Sequence, residues 1–155
     1  YAVFVGHPEA YKIAYKYKKI SPLKQINQAG LIGLMPGSRV SEISFNLIDI
    51  LCSAELFFKN FPKCRFILPT TQKLEPLIRD QIRNYKLPIE VVIGREAFEN
   101  SLSMMSAAIC VSGTATLQLC LNGVPAVTCY KMNAFNFLLM KLLFKIQKVF
   151  HQYQD

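Results

Sequence analysis

Short apolar runs alternate along the chain with segments whose apolar residues recur at helical spacing. The apolar runs predict five strands, at Ala29–Met35, Cys64–Pro69, Ile89–Ile93, Ala107–Val111 and Pro125–Tyr130. The helical spacing predicts four helices between them, from near Arg39 to Phe61, over 74–85, from Ala97 to Met105, and from 114 to about Leu121. Strand and helix alternate with short connections, which predicts an α/β domain with an open parallel sheet and helices on both faces.

Composition narrows the class of protein. The chain has 155 residues, of which 52% are hydrophobic and 18% charged, so disordered and fibrous classes are excluded. No stretch stays apolar and uncharged for the ~18 residues that a membrane-spanning helix needs. The start carries no Met and no signal peptide, so we expect a piece of a longer protein. The net charge of +8 favours an anionic partner.

The five cysteines form no CxxC pair and are odd in number. With four of them in apolar surroundings, we expect free core thiols in a reduced, cytoplasmic setting, with neither a metal site nor a disulfide framework. Lysines and tyrosines alternate from Tyr11 to Lys24, a pattern that can bind nucleic acid. This cluster is short and has no binding motif, so we predict a solvated linker and no nucleic-acid partner.

A first glycine turn, Pro36–Arg39, follows the first predicted strand and opens the first helix. The amide end of a helix has unpaired N–H groups and partial positive charge, which suit a phosphate. Gly37 permits close approach, Ser38 offers a hydroxyl, and Arg39 a planar fork for phosphate oxygens. An ordinary βα turn with a surface arginine is the equal alternative.

A second glycine turn, Ser112–Thr116, repeats these features after the fourth predicted strand. Its hydroxyls could donate to an anion, although a plain Ser/Thr helix cap is the alternative. Ligands of open α/β sheets bind at the carboxyl ends of the strands, so the two turns together predict a diphosphate site. Gln118, one turn into the helix, could meet the hydroxyls of a ribose.

The sequence lacks the residues that several other enzyme chemistries require. The turns carry neither the lysine of GxxxxGK[ST] nor GxGxxG, which disfavours nucleotide hydrolysis and nicotinamide chemistry. With two histidines in the chain there is little material for a Ser-His-Asp arrangement, and no paired carboxylates are evident. The general base is therefore not identifiable from the sequence.

The motifs, taken in order, resemble those of the lipid A disaccharide synthase family over roughly Phe4 to Lys145. They are Gly6-His7-Pro8, Leu34–Arg39 with Glu42-Ile43, Ser112–Leu117, and Pro125 to Tyr130-Lys131. The resemblance implies an inverting glycosyltransferase with two Rossmann-like domains, of the GT-B type. Such an enzyme joins UDP-2,3-diacylglucosamine to 2,3-diacylglucosamine 1-phosphate and releases UDP at the cytoplasmic face of the Gram-negative inner membrane.

The resemblance also implies roles for residues of this chain, most of the UDP-binding C-terminal domain. Arg39 would offset the charge of departing UDP, which is the one catalytic role assigned. Glu42 would orient Arg39, or simply suit the first turn of a helix. No cofactor beyond the sugar-nucleotide substrate is implied. The implied UDP-binding residues are Pro36, Gly37, Ser38, Arg39, Glu42, Ser112, Gly113, Thr114, Ala115, Thr116 and Gln118.

Three departures from the family pattern limit what the chain does alone. Relatives commonly carry Glu at the position of Gln118, and an amide loses the strength of a charged hydrogen bond. The tail at 151–155 matches nothing in the family, and the N-terminal acceptor domain is absent. We therefore expect a linker or hinge at 1–28, a Rossmann-like UDP-sugar domain at 29–150, a divergent tail at 151–155, and no catalysis by this chain alone.

The segment Ala134–Phe150 is strongly apolar with lysines on one side. It reads either as a core-packed helix with a solvated edge or as an interfacial helix on an anionic membrane. With an acylated substrate implied, we favour membrane contact and a cytoplasmic protein peripheral to the inner membrane. The contacting residues would be Phe135, Phe137, Leu138, Lys141, Phe144 and Lys145.

Two other functions fit the same residues. One is another UDP-sugar enzyme, such as a UDP-GlcNAc epimerase or a different GT-B transferase. The other is a non-catalytic nucleotide- or membrane-binding module, which UDP binding without turnover would support.

Overall fold

The computed structural model describes residues 30–131 of the chain, where strands and helices alternate in the predicted order. The strands are β1 Leu31–Met35, β2 Arg65–Thr70, β3 Ile89–Ile93, β4 Met105–Val111 and β5 Ala126–Cys129. The helices are α1 Val40–Asn60, α2 Glu75–Ile82, α3 Arg95–Met104 and α4 Thr114–Leu121.

All five strands form one parallel sheet in the order β3-β2-β1-β4-β5. The chain moves outward from β1 to β3, then crosses back to place β4 on the other side of β1. The strand order thus reverses between β1 and β4. In an open parallel sheet this reversal sends the following helices to opposite faces and leaves a crevice at the carboxyl ends of the two strands.

Two apolar clusters cover the two faces of the sheet, which confirms helices on both. On one face α1 and α2 pack against the sheet. The α1 side chains that are wholly buried there are Ile43, Leu47, Ile50, Leu51 and Ala54. On the other face Leu102 of α3 and Leu119 of α4 pack with Met35, Ile67 and Met105. The central strands are buried from both sides, which explains why their sequences read as continuous apolar runs.

The third helix and fourth strand begin earlier than predicted. The helix starts at Arg95 rather than Ala97 because Gly94, with a φ of 91°, makes the turn directly after β3. It ends at Met104, and β4 follows at once because Met105 is already extended and wholly buried. The remaining element bounds differ from prediction by a few residues, as is usual at element ends.

The number of cysteines that lie in the interior differs from the number expected from the sequence. All five are free thiols. Cys64 and Cys110 are buried and Cys129 is half-buried, whereas Cys52 and Cys120 are exposed on helices. Three thiols, rather than four, therefore lie in the apolar interior.

Candidate functional site

The first glycine turn lies at the carboxyl end of β1, the strand at the centre of the sheet. Pro36 is buried beneath the turn, Gly37 is half-buried, and Ser38 and Arg39 are exposed. Arg39 has an extended backbone and forms the N-cap of α1, which begins at Val40. The first N–H groups of a helix have no acceptor within it, so this end of α1 can offer main-chain donors to a ligand.

Glu42 closes this turn from within the helix. Its Oε2 accepts hydrogen bonds from the N–H of Ser38 at 2.8 Å and of Arg39 at 3.2 Å. Its Oε1 accepts another from Nη1 of Arg39 at 2.8 Å. Glu42 thus contacts the Arg39 side chain directly, as the predicted orienting role requires. Two N–H groups of the turn are already engaged by this carboxylate, which the sequence did not reveal.

The hydrogen bonds also set the ionisation of Glu42. Burial of the carboxyl would raise its pKa, but the bonds from Ser38 and Arg39 and the positive charge of Arg39 outweigh burial and lower the pKa. Glu42 is therefore a carboxylate at neutral pH, and it neutralises part of the positive charge of the turn. The Arg39 side chain, 77% exposed, still has N–H donors beyond the one that Glu42 engages.

Gly37 is required by this arrangement for two reasons. Its φ of 115° is a conformation that residues with a side chain rarely adopt. A Cβ at this position would lie 2.5 Å from Oε2 and 2.6 Å from Cβ of Glu42. The glycine therefore leaves room for the Glu42 side chain, in addition to any approach it allows to a ligand.

The second glycine turn lies at the carboxyl end of β4 and is built differently. Gly113, not a serine or threonine, is the N-cap of α4, and no side chain caps this helix, so the plain Ser/Thr cap is not what forms. Gly113 has extended backbone, and a Cβ there would have no described heavy atom within 4 Å. Ser112 and Thr114 are exposed, and the hydroxyl of Thr116 lies 3.7 Å from Sγ of Cys110. The turn is open and lined with small side chains.

The sheet brings the two glycine turns to the same place. β1 and β4 pair in parallel with Met35 opposite Cys110, so both turns leave the sheet side by side at its carboxyl edge. This edge is where the strand order reverses. Ala115 and Gln118 are half-buried on α4, and Gln118 lies one turn into that helix, as predicted.

Sequence reasoning missed a third group near this edge. Asn46 of α1 is 2% exposed, although it stands within the apolar stripe that packs on the sheet. Its side chain bonds the main chain of Lys131, two residues after the end of β5, where Lys131 N donates to Oδ1 of Asn46 at 2.7 Å. The sequence did carry a signal for Asn46, because it places a polar residue where the apolar stripe of α1 would otherwise continue.

The predicted membrane-contacting residues from Phe135 to Lys145 lie outside the described residues, as do Gly6, His7 and Pro8. Among residues 30–131, no helix is long and apolar enough to cross a membrane.

Comparison with known proteins decides the family. The family model described as lipid-A-disaccharide synthetase matches residues 1–150. The chain belongs to this family. Curated relatives named lipid-A-disaccharide synthase include those of Nitrosococcus oceani, 31% identical, and Trichlorobacter lovleyi, 33% identical, each over 150 residues and 94% of this chain. A relative from Persephonella marina is 29% identical over 92% of the chain.

This chain covers only part of the length of each relative. The chain spans 38% of the Nitrosococcus relative and 39% of the other two, so about two fifths of their length. Both glycine turns and the strand leading to Tyr130-Lys131, which carried the resemblance, lie within the matched region.

Proposed function

We propose that this chain is the donor-binding part of a lipid A disaccharide synthase. The complete protein transfers 2,3-diacylglucosamine from UDP to 2,3-diacylglucosamine 1-phosphate, and this part binds UDP-2,3-diacylglucosamine. The observation that carries the proposal is the parallel pairing of β1 with β4, which sets two glycine turns side by side where the strand order reverses. The family match supports the choice of substrates.

The two turns have complementary roles in this proposal. The first supplies charge, through the exposed guanidinium of Arg39 and the N–H groups that begin α1. The second supplies space beside Gly113 and the hydroxyls of Ser112 and Thr114. A diphosphate lies between them, and Arg39 offsets the negative charge that grows on UDP as the glycosidic bond breaks.

Glu42 is unsuited to act as the general base. Its carboxylate accepts three hydrogen bonds, and its pKa is lowered, so it is a weak proton acceptor near neutral pH. Its role is to hold the turn and Arg39. The base that takes the proton of the acceptor hydroxyl is therefore a residue other than Glu42.

In this proposal the reaction takes place at the cytoplasmic surface of the inner membrane of a Gram-negative cell, and the acyl chains of both sugars support a membrane surface. The net charge of +8 suits an anionic lipid surface. The lysines and phenylalanines between Phe135 and Lys145 would contact that surface in this proposal.

Calorimetric titration of the chain with UDP, UMP and uridine tests donor binding. UDP is expected to bind more tightly than UMP, because the second phosphate reaches the first turn. Arg39→Ala should weaken UDP binding by roughly 1–3 kcal/mol, the range for a hydrogen bond to a charged group, and reduce the preference for UDP. The matched control is Arg79→Ala, since Arg79 also pairs with a glutamate on its own helix, at 2.7 Å.

The outcomes are distinct. UDP binding that is lost in Arg39→Ala and kept in Arg79→Ala supports the proposal. Equal loss in both variants would mean that net charge alone governs binding. No UDP binding by the folded wild-type chain would contradict donor binding by this part.

A non-catalytic nucleotide-binding module is the second candidate, because the two adjacent glycine turns can hold a nucleotide without a catalytic base. An assay that supplies donor and acceptor substrates and measures UDP release distinguishes the enzyme from the binding module. Release of UDP from the sugar nucleotide supports the enzyme, and binding without release supports the module.

A further inference from the structure

Asn46 is a buried polar residue that the donor-binding roles above do not use. Among the described residues, only Asn46 and Ser101 are buried with polar side chains. Ser101 bonds a carbonyl of its own helix, Phe98 O. Asn46 also bonds its own helix, with Nδ2 donating to Glu42 O at 2.8 Å, but it reaches a distant segment as well.

The distant segment is the chain directly after β5. Lys131 N donates to Oδ1 of Asn46 at 2.7 Å, and Nδ2 of Asn46 donates to Lys131 O at 3.4 Å. The side-chain amide thus pairs with both polar groups of one residue, as a neighbouring strand would. Asp49, one turn further along α1, accepts from Nζ of Lys131 at 3.0 Å.

Within residues 30–131, few other interactions fix the carboxyl end of β5. It has four residues at the edge of the sheet, and Ala126, Val127 and Thr128 are all exposed. Packing therefore holds this strand less firmly than β1 or β4, whose side chains lie mainly in the two cores. The bonds from Asn46 cross from α1 to the end of β5 at the edge of the sheet that carries both glycine turns.

We infer that Asn46 is a positioning residue for donor binding, which fixes Lys131 at the carboxyl end of β5 relative to the first glycine turn. One side-chain amide bonds a carbonyl in the first turn of α1 and the main chain after β5, so it sets the distance between the two. The inference rests on the proposed donor site, and it adds a residue that does not touch the donor itself.

The substitution Asn46→Leu tests the inference. Leucine has a similar volume and suits the apolar stripe of α1, but it leaves Lys131 N and O without their partner. Asn60→Leu is the matched control, because Nδ2 of Asn60 makes the same bond within α1, to Leu56 O at 2.9 Å. Amide hydrogen exchange at Lys131 and calorimetric UDP affinity are measured for both variants and the wild type.

Asn46→Leu is expected to speed exchange at Lys131 at least tenfold and to weaken UDP binding at least fivefold, with the exchange of β1 amides unchanged. Asn60→Leu should change neither. UDP binding that is unchanged while Lys131 exchanges faster would overturn the inference, because Asn46 would then be structural only. Unchanged exchange at Lys131 would overturn it as well.

A second variant covers the case in which Asn46→Leu does not fold. Asn46→Asp keeps the acceptor for Lys131 N and removes the donor to both Glu42 O and Lys131 O. Weaker UDP binding by a folded Asn46→Asp chain supports the inference, and wild-type affinity contradicts it. If the wild-type chain itself binds no UDP, the proposed donor site fails, and the exchange data still decide whether Asn46 holds Lys131.

Discussion

The two glycine turns share a sequence signature and differ in what holds them. In the first, Gly37 has a positive φ, and the carboxylate of Glu42 fills the space where a side chain would lie. In the second, Gly113 is extended and has open space around it, and no side chain caps the helix that follows. The first turn is completed by the protein's own residues, whereas the second leaves room for a ligand.

This difference shows that a glycine after a strand can be needed for opposite reasons. Gly37 is needed for folding, because Glu42 occupies the inside of the turn. The backbone of Gly113 and the space around it would accept a side chain, so a need for glycine there would arise from the ligand. Stability and UDP binding should therefore respond differently to equal substitutions in the two turns.

The largest effect on stability is expected from Gly37→Ala. The strained φ and the clash with Glu42 should lower the free energy of unfolding by about 2–3 kcal/mol. Gly94→Ala is the control, because Gly94 also has a positive φ but a Cβ there would meet no described atom within 4 Å. Urea unfolding measures both. Equal losses would show that strain alone matters and that the contact with Glu42 does not.

Glu42→Gln is expected to lower the free energy of unfolding by less, about 1 kcal/mol at pH 7, as for other residues that cap a helix N-terminus. The pKa of Glu42 is lowered in the folded state, so its stabilising effect is complete above the ordinary value of 4.5. The effect is lost as the pH falls through the lower folded-state pKa. Urea unfolding at pH 7 and at successively lower pH should show the difference from wild type shrinking.

Glu75→Gln is the control for this comparison. Glu75 pairs with Arg79 across one helical turn at 2.7 Å, and such exposed pairs contribute about 0.3–0.5 kcal/mol. If Glu42→Gln lowers the free energy of unfolding at pH 7 no more than Glu75→Gln does, the hydrogen bonds from the N–H groups of Ser38 and Arg39 do not stabilise the turn.

The smallest effect on stability is expected from Gly113→Ala, within about 0.5 kcal/mol, because its backbone suits any residue and space is available. UDP binding should nevertheless weaken, since the added methyl group narrows the proposed phosphate site. Thermal unfolding and calorimetry on the same sample measure the two effects. A loss of stability as large as that of Gly37→Ala would remove the contrast between the turns.

The elements and their order were predictable because each depends on local pattern. Apolar runs between turn residues give buried strands, and the stripe from Ile43 to Ala54 gives α1. Gly123 follows the C-cap Asn122 of α4 and has a φ of 67°, the left-handed conformation that glycine readily adopts after the last turn of a helix. The start of α3 at Arg95 was missed because a positive φ at Gly94 replaced the expected loop.

The sequence by itself determined the α/β alternation, the two glycine turns and the family, because these are properties of neighbouring residues and of motif order. Only the tertiary structure decided that the turns differ, because that depends on where Glu42 lies in space. The link from Asn46 to Lys131 spans 85 positions of sequence, and no local pattern specifies such a distance. It forms because β4 and β5 pair on the far side of β1 and bring the end of β5 beside α1.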